Sequence, residues 1–122
     1  MAKTVMVIDD SKSLRQLVSQ TLTKAGYAVL EACDGVDALK QLESARVHLM
    51  VCDVNMPNMD GLTFVRRVKL LAQHKFTPIV MLTTEGADAL VQEGKAAGAK
   101  GWMVKPFNAD QLLSIVRRLA PS

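Results

Sequence analysis

The stretch VHLMVC, Val47–Cys52, is a short run of mostly apolar residues, and the carboxylate of Asp53 follows it directly. Four further apolar runs lie at Thr4–Ile8, Tyr27–Leu30, Pro78–Leu82 and Gly101–Val104. Most are continuous rather than alternating, which is typical of strands buried on both faces of a sheet. Tyr27–Leu30 has the weakest pattern of the five, so we expect it near an edge of the sheet.

Segments with helical periodicity separate these runs. In the first, apolar and small residues recur three and four positions apart, at Leu14, Leu17, Val18, Thr21, Leu22 and Ala25. Gly26 stands where this helix should end. In the second segment, Asp34 is expected to cap a helix whose inward residues are Val36, Leu39 and Leu42.

Three more helices follow the same rule. The third should begin near Gly61, with one apolar face made of Leu62, Val65, Val68 and Ala72. The fourth, residues 87–97, has little apolar surface and contains Gly94, so we expect it to be the least stable helix. Asn108 and Gln111 predict a capping box at the start of the fifth.

Five strand–helix alternations predict an α/β fold, a doubly wound, five-stranded parallel sheet with helices on both faces. In such folds ligands bind beyond the carboxyl ends of the strands. The residues that follow the strands are polar and charged: Asp9, Asp10, Asp53, Thr83, Thr84 and Lys105. Each is weak evidence alone, because such residues often cap helices or form ordinary ion pairs. The signal is their convergence on one edge.

Three neighbouring carboxylates need a compensating charge, since two unit charges 4 Å apart repel by about 4 kcal/mol at an effective dielectric of 20. A hard divalent cation with oxygen ligands, such as Mg²⁺, meets this need. Thr83 and Lys105 would add a hydroxyl donor and a positive charge for a bound anion. This set of groups suits phosphoryl transfer to Asp53, which would form an acyl phosphate.

The composition fits one ordinary domain over residues 1–122. The mass is 13.3 kDa, 49% of residues are hydrophobic, and the net charge of +3 is too small to imply nucleic acid by itself. Cys33 and Cys52 form no metal or redox spacing, so we interpret both as buried apolar residues in a reducing cytosol. No signal peptide or membrane span is visible, and we expect a soluble cytoplasmic protein.

Four segments carry a family resemblance: VIDDS at 7–11, DVNMPNMDG at 53–61, MLTT at 81–84 and VKPF at 104–107. Together they resemble the response-regulator receiver domains of two-component signalling, most closely the stand-alone CheY-like type. The resemblance covers essentially the whole chain. It implies a flavodoxin-like sheet of strand order 2-1-3-4-5 with five helices.

The resemblance also implies residue roles. Asp53 would be the phosphoacceptor, and Asp10, Asp53 and the backbone carbonyl of Asn55 would bind Mg²⁺, with Asp9 acting through a metal-bound water. Thr83 would donate a hydrogen bond to a phosphoryl oxygen and move on activation, while Lys105 would pair with the phosphoryl group. The peptide bond between Lys105 and Pro106 is typically cis in this family. Asn55 and Glu85 would tune hydrolysis. His48 and His74 are expected outside the site.

One position departs from the family pattern. The switch position on the fifth strand is usually Tyr or another smaller aromatic, whereas here it is Trp102. Trp102 is either a switch or a half-buried anchor of that strand. By resemblance, the output face would comprise Val91, Lys95, Trp102, Val104 and Arg118. The alternative is that its basic residues are simply a solvated surface.

The resemblance implies a phosphoacceptor switch rather than a conventional enzyme. Its partners would be a CheA-like histidine kinase, an output protein such as a flagellar motor switch protein, and in some systems a phosphatase, with no nucleic acid and no membrane. We expect a monomer. Alternatives are a phosphorelay intermediate and, more remotely, a phosphatase of the haloacid dehalogenase type. That type needs an acidic residue where Asn55 stands. A flavodoxin-like FMN binder is disfavoured because Asp9 and Asp10 would repel the phosphate.

Overall fold

The computed structural model describes residues 2–84 and 88–121, with side chains left out at 88–90. Its sheet has five parallel strands in the order β2-β1-β3-β4-β5, which confirms the expected fold class and strand order. The strands are β1 (Thr4–Ile8), β2 (Ala28–Ala32), β3 (Leu49–Asp53), β4 (Ile79–Thr83) and β5 (Gly101–Val104). β2 is an edge strand, as its weak pattern predicted.

The helices alternate with the strands. They are α1 (Lys12–Lys24), α2 (Gly35–Leu42), α3 (Gly61–Val68), α4 (Asp88–Ala97) and α5 (Ala109–Leu119). Ser11, Asp34, Asp60 and Asn108 each accept a backbone N–H at a helix start. The predicted capping box of Asn108 and Gln111 is present, and Gly26 follows α1 with a φ of +98°. The predicted first residue of the fourth helix, Ala87, lies outside the described residues.

Two apolar clusters sandwich the sheet. One joins strand residues such as Met50 and Met81 to α2 and α3. The other joins Val51 and Val80 to α1 and α5. β1, β3 and β4 are buried on both faces apart from Thr4, which explains their continuous apolar sequences. This packing fixes the strand ends and hence the side chains that project beyond them.

Several sequence predictions about which residues face the core are wrong. Leu17 is 57% exposed and Val36 is 50% exposed, because α1 and α2 bury narrower stripes centred on Val18–Leu22 and Ala38–Leu42. Cys33 is exposed at the end of edge strand β2, whereas Cys52 is buried as expected.

The prediction that Ala72 continues the α3 face is also wrong. α3 ends at Val68, and Leu71 N–H bonds to Val68 O, the tighter spacing of a 3-10 turn. Ala72 lies in the 3-10 turn Ala72–His74 and is exposed, whereas His74 is fully buried. In this segment the imidazole of His74, rather than the predicted Ala72, is therefore the side chain that is buried.

β2 is shifted by one residue from its predicted start. Tyr27 precedes the strand and is buried, and its hydroxyl donates to Ala120 O at 2.7 Å. This bond links the edge of the sheet to the end of α5.

In the described part of the chain, no helix has the length and apolar character that crossing a membrane requires.

Candidate functional site

The carboxyl edge of the sheet brings three aspartates together. Asp9 follows β1 and is buried, Asp10 is exposed, and Asp53 is the buried last residue of β3. Ligand oxygens of all three carboxylates lie within 4.8 Å of one another. This cluster follows from the register, because Ile8 pairs with Cys52 and the residues after them must adjoin. The convergence inferred from the strand ends is thus present.

Lys105 supplies the positive charge at this edge. Its Nζ lies 3.3 Å from Asp53 Oδ2 and 3.5 Å from Asp9 Oδ2, while its backbone N–H bonds to Thr83 O. The peptide bond from Lys105 to Pro106 is cis, as the resemblance implied. One ammonium beside three carboxylates leaves a net negative site.

Asp9 is the carboxylate of the three that has a buried oxygen without a hydrogen-bond partner among the described residues. Its Oδ1 accepts the Ser11 N–H at 2.8 Å, whereas its buried Oδ2 has no hydrogen-bond partner among the described residues and faces Lys105. Burial raises the pKa of Asp9, and the charge of Asp53 adds to this, against the opposing effects of the Ser11 N–H and Lys105. An oxygen-seeking cation would satisfy this orphan atom.

Thr83 completes the edge on the side of β4. It is the last residue of its strand, is fully buried, and pairs in register with Val104 of β5. The adjacent residue of β4, Leu82, pairs with Asp53. Thr83 therefore lies on the strand next to Asp53, between it and the strand that leads to Lys105.

The loop from β3 to α3 is held by two contacts that the sequence did not reveal. Asn58 adopts a φ of +68°, and its Nδ2 donates to Asp34 Oδ2 at 2.8 Å. Gly61 N–H bonds to Val54 O, and a Cβ at Gly61 would lie 2.3 Å from Asp53 O. The tight start of α3 thus fixes the backbone around Asp53. The signal for Asn58 was its place in a turn-rich segment.

Asn55 and Arg15 surround the cluster. Asn55 is exposed, and its N–H donates to Asp53 Oδ1 at 3.3 Å. Arg15 of α1 donates from Nη1 to the backbone carbonyl of Asp9 at 2.7 Å and from Nε to Glu31 at 3.1 Å. Arg15 was missed because its sequence position on α1 gave no sign that its side chain reaches back to the end of β1. Glu85 lies outside the described residues.

Trp102 is half-buried and packs against α4. A Cβ built at Gly94 would lie 2.2 Å from Trp102 Cζ3, so only glycine leaves room for the indole. The ring also packs on the apolar cluster of α2 and α3, and its Nε1 is buried without a hydrogen-bond partner in the described part of the chain. The indole therefore fills the space between β5 and α4.

The residues of the predicted output face are partly brought together. Lys95, Trp102 and Arg118 line a pocket of about 190 Å³, and Trp102 and Arg118 also line a larger groove of about 600 Å³ with Val104. Val104 is 46% exposed. Val91 is half-buried one helical turn before Lys95.

Both histidines lie away from the carboxylate cluster. His48 is exposed just before β3, where its Nδ1 accepts the Thr4 N–H at 3.0 Å. His74 is buried just before β4. Both therefore lie towards the amino edge of the sheet.

Comparison with known proteins agrees with this geometry. Residues 5–117 match the model of the response regulator receiver domain family. Chemotaxis protein CheY1 of Helicobacter pylori is 40% identical over 110 residues, 88% of this chain and 89% of that protein. The CheY homolog of Campylobacter jejuni is 39% identical, over 88% of this chain and 85% of its own length.

The structural likeness is closer still. The solved structure of chemotaxis protein CheY4 of Vibrio cholerae is 50% identical, covers 98% of this chain and 99% of its own, and superposes with a TM-score of 0.94. The family match extends from the second residue of β1 to within two residues of the end of α5, and so includes every residue of the carboxylate edge. This chain therefore belongs to the response regulator receiver domain family.

Proposed function

We propose that this chain is a single-domain response regulator in which Asp53 accepts a phosphoryl group from a histidine kinase. The carrying observation is the position of Asp53, which is buried at a strand end beside Asp9, Asp10 and the Lys105 ammonium. A carboxylate so placed has a cation site on one side and a fixed positive charge on the other. Both are needed when a dianionic group is transferred to it.

The acidic cluster fits Mg²⁺. Asp9, Asp10 and Asp53 offer oxygens within 4.8 Å of one another, Asp9 Oδ2 is buried and unsatisfied, and the backbone carbonyl of Asn55 would complete the protein's share of the ligands. When bound, Mg²⁺ would neutralise the carboxylates and the oxygens of the incoming phosphoryl group. The donor set of hard oxygen ligands agrees with this ion.

The chain's own residues would do the rest of the chemistry. A carboxylate oxygen of Asp53 attacks phosphorus, the P–N bond of the kinase's phosphohistidine breaks, and the electron pair leaves with the imidazole. Lys105, already within 3.3 Å of Asp53, would pair with a phosphoryl oxygen, and the Thr83 hydroxyl would donate to another. Asn55 and Glu85 would control the access of water for hydrolysis.

The response would be a binding event on the face formed by α4, β5 and α5, with Thr83 and Trp102 relaying the change. The half-exposed Val104 and the exposed Lys95 and Arg118 give this face an apolar centre and a basic rim, which suits an acidic partner segment. We propose that the protein acts as a cytoplasmic monomer.

The pathway we propose is chemotaxis, with a CheA-like kinase as donor and a flagellar motor switch protein as target. The support is the names of the relatives, which are chemotaxis proteins. A phosphorelay intermediate is the alternative, and a phosphatase partner is compatible with either.

Beryllofluoride, an analogue of the phosphoryl group, should increase binding to a motor switch peptide. Transfer of the phosphoryl group from Asp53 to a second histidine protein would instead favour the relay.

Labelling with acetyl phosphate tests the phosphoacceptor. Wild-type protein should be labelled only with Mg²⁺ present, and Asp53→Asn should abolish labelling. Asp110→Asn, at an exposed position in the first turn of α5, is the matched control and should be labelled like wild type. Labelling that survives Asp53→Asn at a wild-type level would refute the assignment.

A further inference from the structure

The surface opposite the carboxylate cluster contains an apolar groove that the proposed function does not use. It has a volume of about 560 Å³ and lies between α2 and the segment that follows α3. We call it the α2/α3 groove. Its main lining residues are Leu39, Leu42, Leu70, Leu71, Glu43 and Arg67. A second depression of about 280 Å³ shares Leu42 and Glu43 with it and extends to Arg46.

The apolar residues here are unusually exposed. Leu70 is 85% exposed and Phe76, on the same segment between α3 and β4, is 88% exposed. They are the two most exposed large hydrophobic side chains among the described residues. Single exposed apolar residues are ordinary, but apolar exposure beside a leucine-lined groove is a feature of interaction sites.

The sequence segments that flank the groove are predominantly basic. The two flanking segments, residues 39–46 and 66–76, carry six basic residues and one acidic residue. The basic residues are Lys40, Arg46, Arg66, Arg67, Lys69 and Lys75. Lys69 does not line the groove, because its stem lies beside Gly98 and its Nζ donates to Thr77 O. Arg67 and Arg46 line the groove and its extension directly, and Lys75 lies 5.7 Å from the centre of the Phe76 ring. A partner with carboxylates beside its apolar residues would be complementary.

We propose that the α2/α3 groove docks an acidic, amphipathic segment of another protein. Apolar side chains of that segment would fill the space between the leucines, and its carboxylates would pair with Arg67 and Arg46. A groove favours a protein segment over a bilayer, since a lipid surface cannot follow a concavity whose wall includes the carboxylate of Glu43. A second copy of this chain is disfavoured because self-pairing of this face would oppose two basic surfaces.

The test is a peptide selection directed at this surface. A random 16-residue peptide library is selected on the unphosphorylated wild-type protein after removal of every peptide that binds the double variant Leu70→Ser/Arg67→Glu. The retained peptides are synthesised with a fluorophore, and their affinities are measured by anisotropy. Both substituted side chains are exposed, so the variants should fold. Leu17→Ser and Lys24→Glu are matched controls at exposed positions of α1, which packs on the other face of the sheet.

We expect retained peptides with a net negative charge and apolar residues at helical spacing. Leu70→Ser and Arg67→Glu should each weaken binding about tenfold, and the controls less than about twofold. Failure to retain peptides, or retention of neutral or basic ones, would overturn the proposal. So would groove-dependent binding to vesicles of anionic phospholipid without peptide binding, or a groove-dependent dimer in sedimentation. Labelling of Asp53 is not needed for this outcome, so the two proposals fail independently.

Discussion

Asp9 illustrates how a residue can be unfavourable for the fold and useful for the site. Its Oδ2 is buried without a hydrogen bond in the described structure, and its pKa is raised chiefly by burial. A raised pKa means that the folded protein holds the proton more tightly than the unfolded chain, whose value is near 3.8. The stability this gives at low pH is lost as the pH rises, so ionised Asp9 destabilises the metal-free fold at neutral pH.

Asp9→Asn should therefore stabilise the metal-free protein at pH 7 by roughly 0.5–2 kcal/mol, since the amide can still accept the Ser11 N–H. The same change should remove most of the stabilisation by Mg²⁺, which for the wild type is about 2.7 kcal/mol at 100 times the dissociation constant. Urea unfolding with and without Mg²⁺ measures both effects. An equal gain from Mg²⁺ in the two proteins would contradict a role for Asp9 in the metal site.

His74 provides a second residue-scale prediction. It is fully buried, and its Nδ1 lies 3.3 Å from Thr77 Oγ1. Burial lowers the pKa of His74, with smaller contributions from Arg46 and Lys69, against an opposing effect of the Ala45 backbone. Because the folded protein favours the neutral ring, the unfolded chain takes up the proton first as the pH falls below about 6.5. Stability present above that pH should be lost as the pH falls.

His74→Gln keeps a polar partner for Thr77 but does not titrate. We expect the free energy of unfolding of the wild type to fall more steeply between pH 7.5 and 5.5 than that of the variant. The carboxylates titrate in both proteins, so the difference in slope isolates His74. Gln73→Asn, at the exposed neighbouring position, changes no titratable group, so it is the control and should keep the wild-type slope. Parallel slopes for wild type and His74→Gln would show that His74 does not set the pH response.

At the scale of elements, the Trp102 side chain of β5 packs against α4 at Gly94, where the lack of a side chain leaves room for the indole. The sequence marked Gly94 only as a weak point of the helix, whereas the structure shows it as the contact surface for the indole. Gly94→Ala improves helix propensity by about 1 kcal/mol, but the added methyl would lie 2.2 Å from Trp102 Cζ3. Overpacking of this kind costs about 1–3 kcal/mol, so the clash outweighs the propensity.

We expect Gly94→Ala to destabilise the protein and to red-shift Trp102 fluorescence as the ring moves into water. In a Trp102→Tyr background the smaller ring should leave room for the methyl, and the same change should become neutral or stabilising. Gln92→Ala, an exposed change on the same helix, controls for propensity alone. Equal effects of Gly94→Ala in both backgrounds would show that Trp102 does not fill the space beside Gly94.

The helices and strands were largely predictable from the sequence, but the residues that face the core on each helix were less predictable. Continuous apolar runs indicated the buried strands, and the capping residues Asp34 and Asn108 indicated two helix starts. Leu17, Val36 and Ala72 were placed on the wrong faces because spacing alone does not fix the width of a buried stripe or the point where a helix tightens.

The site was predictable to the extent that its residues follow strands. Asp9, Asp53 and Lys105 do so, and parallel topology alone brings such residues to one edge. Arg15 and Asn58 act through side chains that reach across the fold, to the carbonyl of Asp9 and to Asp34. Nothing in local sequence specifies those contacts, because they depend on tertiary packing.

At the scale of the whole molecule, the two edges of the sheet have different characters. The carboxyl edge collects Asp9, Asp10 and Asp53, and the amino edge lies beside the basic, leucine-lined α2/α3 groove. The net charge of +3 conceals this division. Setting aside the acidic cluster leaves an exterior more basic than the total suggests, which favours acidic protein partners at both proposed surfaces.

The distribution of stability across the molecule gives the last prediction. All residues of β3 and β4 are buried, whereas α4 contains Gly94 and has exposed residues at Gln92, Glu93, Lys95 and Ala96. Local opening should therefore need least free energy at α4 among the helices and most at the central strands. A weak α4 would also shift readily between two states, as the proposed switch requires.

Hydrogen exchange followed by mass spectrometry measures this order directly. Peptides from 88–97 should exchange faster than those from α1 and α5, and peptides from 49–53 and 79–83 should exchange slowest. Replacing Gly94 and Trp102 together by Ala and Tyr should slow exchange in α4 while leaving β3 unchanged, since the substitution improves helix propensity without a clash. Protection of α4 equal to that of β3 in the wild type would contradict both the stability order and the idea that α4 is the element that moves.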